Sequence, residues 1–89
     1  MAAMTYGLMK VRVAEELTAA NCETVHLLLD FRPAVAERTR SGSSLLAELE
    51  SRGFLSQNNV NRLIEILQQI PAMPAANIVE RYKRENHIH

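Results

Sequence analysis

With 89 residues the chain can form one compact domain but not two. Hydrophobic residues at 47% against charged residues at 22% exclude an intrinsically disordered chain, and ten Lys+Arg offset by ten Asp+Glu leave no net field pointing to DNA, RNA or an acidic membrane. A single cysteine, Cys22, excludes an internal disulfide framework and a thiolate zinc cluster, and no 18-residue apolar span is present. The expectation is a small soluble domain of a reducing compartment, with little room for catalytic machinery. The first fourteen residues carry Lys10 and Arg12 but no acid, a weak likeness to a transit peptide. Tyr6, Leu8, Met9 and Val13 read better as one face of a structural helix. No apolar stretch precedes a small-residue cleavage site, so secretion is not expected.

Strand alternation is absent and helical spacing recurs. Tyr6, Met9, Val13 and Leu17, with Met4, Leu8 and Val11 widening the stripe, predict a first helix over 4–17. Thr18 caps a second, with Asn21 at its N3 position in a weakened capping box. Cys22, Val25 and Leu29 form its inner face, while Leu27 and Leu28 fall partly outside that stripe. Pro33 opens a short third helix that ends at Ser41-Gly42-Ser43. Ser43 or Ser44 caps a fourth, carrying Leu45, Leu46 and Leu49. Gly53 fits its C′ position, so that Phe54 folds back on Leu49. Ser56 caps a fifth helix whose stripe is Val60, Leu63, Ile64, Leu67 and Ile70; Pro71 stops it. Pro74 starts a sixth, with Ala75, Ile78, Val79 and Tyr82 inward. Short connections predict that consecutive helices pack as neighbours, mostly antiparallel. The prediction is one all-α, six-helix antiparallel bundle over 1–89, with its core over 4–84 and a frayed tail at 85–89.

Six helices in this order with a feeble third resemble the death-fold superfamily. Tyr6-x-Leu8-Met9 followed by Val13-Ala14-Glu15-Glu16-Leu17 resembles the opening of second death effector domains in FLICE-inhibitory proteins and initiator caspases. Leu45-Leu46-Ala47-Glu48-Leu49-Glu50 and Gly53-Phe54-Leu55-Ser56 resemble their fourth helix and following turn, and Leu63 to Leu67 with Val79-Glu80-Arg81-Tyr82 resembles the end of the domain. The likeness covers residues 5–84. It implies homotypic assembly that links death-receptor adaptors to initiator caspases, or blocks that link. The family's Phe-Leu pair on helix two, which docks into a neighbouring domain's groove, aligns with Leu27-Leu28. One departure is large. The family's surface charge triad, an acid in helix two and an Arg-x-Asp-Leu at the start of helix six, falls on Asn21 and on Ala72, Met73, Pro74 and Ala75, so all three charges are gone. A surface ion pair is worth at most about 1 kcal/mol, so the fold does not need them, but partner choice is affected.

Independently of the family, an exposed apolar pair beside a buried stripe suits an association anchor. The plainer alternative is that one leucine is core and the other scattered surface. Arg32, Arg38, Arg40 and Arg52 make the middle of the chain basic, with Glu48 and Glu50 following. These are either complementary faces for head-to-tail stacking or a solvated mixed-charge surface. His26 stands alone on helix two, and His87 and His89 have poor ligand spacing, which argues against a metal site. Cys22 reads as a small core hydrophobe without an activating base, and no paired carboxylates signal acid–base chemistry. Arg81, Lys83 and Arg84 are interleaved with Glu80 and Glu85 and lack a stacking platform, against nucleic-acid binding. The dispersed Met1, Met4, Met9 and Met73 read as packing.

The leading expectation is therefore a non-enzymatic, cytoplasmic interaction module without catalytic residues or cofactor. Its partners are other death-effector-type domains or a second copy, rather than a small-molecule substrate, a membrane or nucleic acid. The protein-binding residues are Leu27 and Leu28, with Arg38, Arg40, Glu48 and Glu50 as electrostatic candidates. A monomeric decoy or scaffold with a non-family partner is the alternative, and a small helical nucleic-acid binder a third.

Overall fold

The computed structural model describes residues 2–88. Six helices run in order: α1 (Tyr6–Glu16), α2 (Ala19–Leu28), α3 (Pro33–Arg38), α4 (Gly42–Ser51), α5 (Asn61–Gln68) and α6 (Met73–Glu85). Among the described residues there is no strand, only an isolated bridge between Ser56 and Asn59. The protein is an all-α helical bundle, 42 × 22 × 18 Å along its principal axes.

Helix starts follow side chains that catch free backbone N–H groups. Thr5 caps α1 by accepting from the Leu8 N–H, which starts the helix two residues later than its apolar pattern suggests. Thr18 and Asn21 form a complete capping box, each side chain accepting from the other's backbone N–H at 3.0 Å. α4 is capped by Ser41 rather than Ser43 or Ser44. Ser41 accepts from the Ser44 N–H and the Ser44 hydroxyl reciprocates on the Ser41 N–H, so α4 begins at Gly42 and α3 ends earlier, at Arg38.

Ser56 does not cap α5. Its backbone exchanges hydrogen bonds of 3.1 and 3.2 Å with Asn59, closing a tight turn, and the helix starts only after the buried Val60. The Tyr82 hydroxyl donates to the Gln57 carbonyl at 2.7 Å and pins that turn to α6. Met73 opens α6, with Pro74 one position further in, where a missing N–H costs nothing.

The end of α4 has the Schellman geometry its sequence predicts. Gly53 lies at φ 81°, the Phe54 N–H reaches the Leu49 carbonyl at 2.9 Å, and the Gly53 N–H reaches Glu50 at 3.0 Å. The same pair of bonds ends α2 around Asp30 (φ 54°) and α6 around His87 (φ 52°).

α6 is the spine: it packs on α1 and α5, α1 packs in turn on α4, and α2 touches α4 more lightly. Of these pairs only α5 and α6 are consecutive, so the neighbour-by-neighbour expectation fails. The Met9 and Val13 side of α1 is fully buried, whereas the short α3 buries only Val35 and cannot form a layer. The core centres on Tyr82, Met9, Leu45, Leu49, Leu63 and Leu67, each buried side chain worth roughly 1.5–3 kcal/mol. At one place backbones meet: a Cβ on Gly42 would lie 2.5 Å from the Ala14 carbonyl oxygen.

Leu8 and Val11, expected to widen the buried stripe of α1, are instead exposed at 41% and 56%. Residues 85–88, expected as a frayed tail, make contacts with the body of the bundle. The Met4 N–H donates to Glu85, Asn86 donates to the carbonyls of Met4 and Tyr82, and Ile88 packs half-buried against the core. His89 lies outside the described residues, as does Met1.

Candidate protein-interaction surface

α2 turns Cys22, Val25 and His26 inward. One helical step further round, Leu27 is 80% exposed and Leu28 40%. The reading that leaves one of the two in the core is thus excluded. Two shallow concavities lie along the α2–α3 corner, one of them bordered by Leu27. One, of 390 Å³, is lined by Leu27, Phe31, Pro33 and Ala36 with Glu23 and His26. The other, of 380 Å³, shares Glu23, His26, Pro33 and Ala36 and adds Glu37 and Arg40. Together they form one groove, apolar at the Leu27 end and charged at the Arg40 end.

Three groups that the sequence reading missed hold this groove. Phe31 follows the left-handed Asp30, and its ring lies 5.8 Å from that of His26 and 4.5 Å from the Arg52 guanidinium. An acid at C′ followed by an aromatic at C″ is a legible signal, the polar counterpart of Gly53-Phe54. His26 is 8% exposed and its Nε2 lies 2.9 Å from both the carbonyl and the hydroxyl oxygen of Thr39. Thr39, buried at the end of α3, carries no sequence signal for that pairing.

The charged candidates fall in different places. Arg38 and Glu48 already bond each other at 3.1 Å, and Glu48 also takes Arg52 at 2.6 Å. The hydrogen bond from Arg52, followed by that from Arg38, holds the Glu48 carboxyl below its ordinary range. Glu50 accepts from the Tyr6 hydroxyl and pairs with Lys10 at 3.2 Å. The Tyr6 bond leads in lowering the Glu50 carboxyl, while burial leads in raising the Tyr6 phenol above its usual value. Glu50 and Lys10 edge a separate 210 Å³ depression between α1 and α4, floored by Ala14, Leu46 and Ala47. Arg40 is exposed and makes no hydrogen bond or ion pair among the described residues. Of the six candidates, only Leu27 and Arg40 line the groove.

Asn21 spends its amide oxygen in the α2 capping box, Ala72 and Ala75 are buried, and Met73 is 56% exposed. Cys22 is buried and its thiol is pushed up by that burial, away from the thiolate a nucleophile needs. Among the described residues no three His, Cys, Asp or Glu side chains are grouped to hold a metal ion, and no helix is long and apolar enough to cross a membrane. Of the C-terminal cations, Arg81 pairs with Glu85 at 2.8 Å and Lys83 donates to Asn61 at 2.8 Å. No family model matches this chain, and neither does any curated protein or solved structure.

Proposed function

We propose that the protein is a non-enzymatic interaction module of the death effector type, acting by homotypic assembly in apoptotic or immune signalling in the cytoplasm, as adaptor or inhibitor. The observation that carries this reading is the wet pair on α2: Leu27 at 80% and Leu28 at 40% exposure, on a helix whose opposite side is closed. Two exposed leucines, one of them lining the apolar end of a groove, provide the desolvation that anchors protein interfaces. The motifs around Tyr6, Leu45 and Gly53 support the same assignment through their likeness to that family.

Light scattering across a concentration series tests it. Wild type should grow in mass with concentration, and Leu27→Asp or Leu28→Asp should return it to monomer with helicity and melting temperature nearly unchanged. Association that survives both substitutions rejects the surface. A second reading, a monomeric decoy or scaffold, is favoured by the uncharged Asn21, Ala72 and Pro74, where the family carries its orienting charges. It expects a persistent monomer at every concentration and salt.

A further inference from the structure

His26 is an imidazole whose two nitrogens can be told apart. The Thr39 hydroxyl has one proton and gives it to the Val35 carbonyl at 2.8 Å. Both Thr39 oxygens therefore face Nε2 as acceptors, at 2.9 Å each. Nε2 must then carry the hydrogen, an assignment made from the bonding network. In the neutral ring this leaves Nδ1 with its lone pair. No residue bonds Nδ1, yet no buried side-chain nitrogen or oxygen among the described residues lacks a partner. Nδ1 thus reaches the surface, and the surface that His26 lines is the α2–α3 groove.

The charges facing it come from each packed element. Glu23 stands one turn earlier on α2, Glu37 comes from α3, and Arg40 from the segment after it. At the C-cap of α4, Arg52 lies over Phe31 and shares the Glu48 carboxylate with Arg38. The Glu23 and Glu37 side chains make no hydrogen bond or ion pair among the described residues, and neither does Arg40, while Arg38 and Arg52 share the Glu48 carboxylate, so what favours a cation is local: the carboxylate of Glu23 at the apolar end. Among the described residues that line the Leu27 end, Glu23 alone bears a formal charge, set in an apolar wall, with Arg52 lying over the Phe31 ring.

Resting on the reading that this face docks protein, we propose that the groove receives a basic side chain, lysine or arginine, from the partner. Its aliphatic stem lies on Leu27, Phe31 and Pro33, and its cationic head sits between the Glu23 carboxylate and the Nδ1 lone pair of His26. Basic side chains bury their stems on apolar surface while keeping the head paired, which suits a wall of this composition.

NMR on the whole chain tests this with a minimal probe, acetyl-Leu-Arg-amide, beside its neutral isostere acetyl-Leu-citrulline-amide. At pH 8 the His26 ring should show the Nε2–H tautomer. The arginyl probe should shift Glu23, His26, Leu27 and Ala36, and the citrulline probe should bind about fivefold more weakly, the size of one exposed charge pair. Glu23→Gln should weaken the arginyl probe by a similar factor. An Nδ1–H tautomer or equal binding of the two probes overturns the proposal. If Leu27→Asp abolishes assembly while the probe leaves the groove unshifted, the docking face stands and the basic occupant is rejected. If the probe binds as stated but Leu27→Asp assembles normally, the occupant stands and the homotypic surface falls.

Discussion

The two flanks of the bundle are held by different physics. On one, α6 lies against α1 and α5 through fully buried Tyr82, Val79, Met9 and Leu63, and α4 comes so close to α1 that only glycine fits at position 42. On the other, α3 has a single buried apolar side chain, Val35, and is fixed to α2 by one imidazole and one threonine. Apolar packing scales with area and has no preferred partner, so it builds the frame. A polar link is directional and leaves nearby surface open. That is why the groove and the exposed leucines lie on the second flank.

The largest effect should come from disturbing the frame. A methyl group at position 42 would stand 2.5 Å from the Ala14 carbonyl oxygen and 2.8 Å from its Cα, and backbone cannot swing aside as a side chain can. Gly42→Ala should therefore destabilise by about 1–3 kcal/mol despite alanine's better helix propensity. Chemical denaturation should show this as a lower midpoint with unchanged slope. A neutral or stabilising result would mean that α1 and α4 slide freely, and the contrast between the flanks would weaken.

Thr39→Val should cost less and act locally. It removes the hydroxyl that receives from His26 and donates to Val35 but leaves the Thr39 carbonyl in place, so the loss should be about 1–2 kcal/mol. Hydrogen exchange should speed first at α3 and the end of α2, with α1 and α6 amides keeping their protection. Uniform acceleration through all six helices would show that the corner is no separate unit.

How much was legible in the sequence follows the same division. The stripes of α5 and α6, the Thr18–Asn21 box and the Gly53-Phe54 stop depend on residues within a few positions of each other, and the fold has them where the pattern predicts. Ser41 was missed as a cap because three nearby serines compete and only the docking of Gly42 on Ala14 decides among them. Ser56 was misjudged because a four-residue turn held by Tyr82 uses the same polar residues as a helix start. For the site, the displacement of Leu27 and Leu28 from the inner stripe was readable from helical spacing. The His26–Thr39 link spans thirteen residues between different helices, and no local pattern encodes it.

The smallest effect concerns the polar contact on the packed flank, where Tyr6 donates to Glu50 while Lys10 pairs with the same carboxylate and lies 4.4 Å from the Tyr6 ring centre. Glu50 has a lowered folded-state value, so its contribution is present above the ordinary carboxylate range near 4.5 and is lost as pH falls through the folded value. Tyr6 is raised above 10.0, so its contribution is present below that value and is lost as pH rises towards the folded one. Tyr6→Phe removes the phenol's share of both and leaves Lys10 on Glu50. Its cost at neutral pH should be about 0.5–1 kcal/mol, because the contact is half-exposed, and it should shrink in acid and in alkali alike. Urea midpoints of wild type and variant at pH 3, 7 and above 10 measure this directly. A gap of constant size across that range would make Tyr6 a packing residue whose ring matters and whose hydroxyl does not, and even this contact would then belong to the apolar frame.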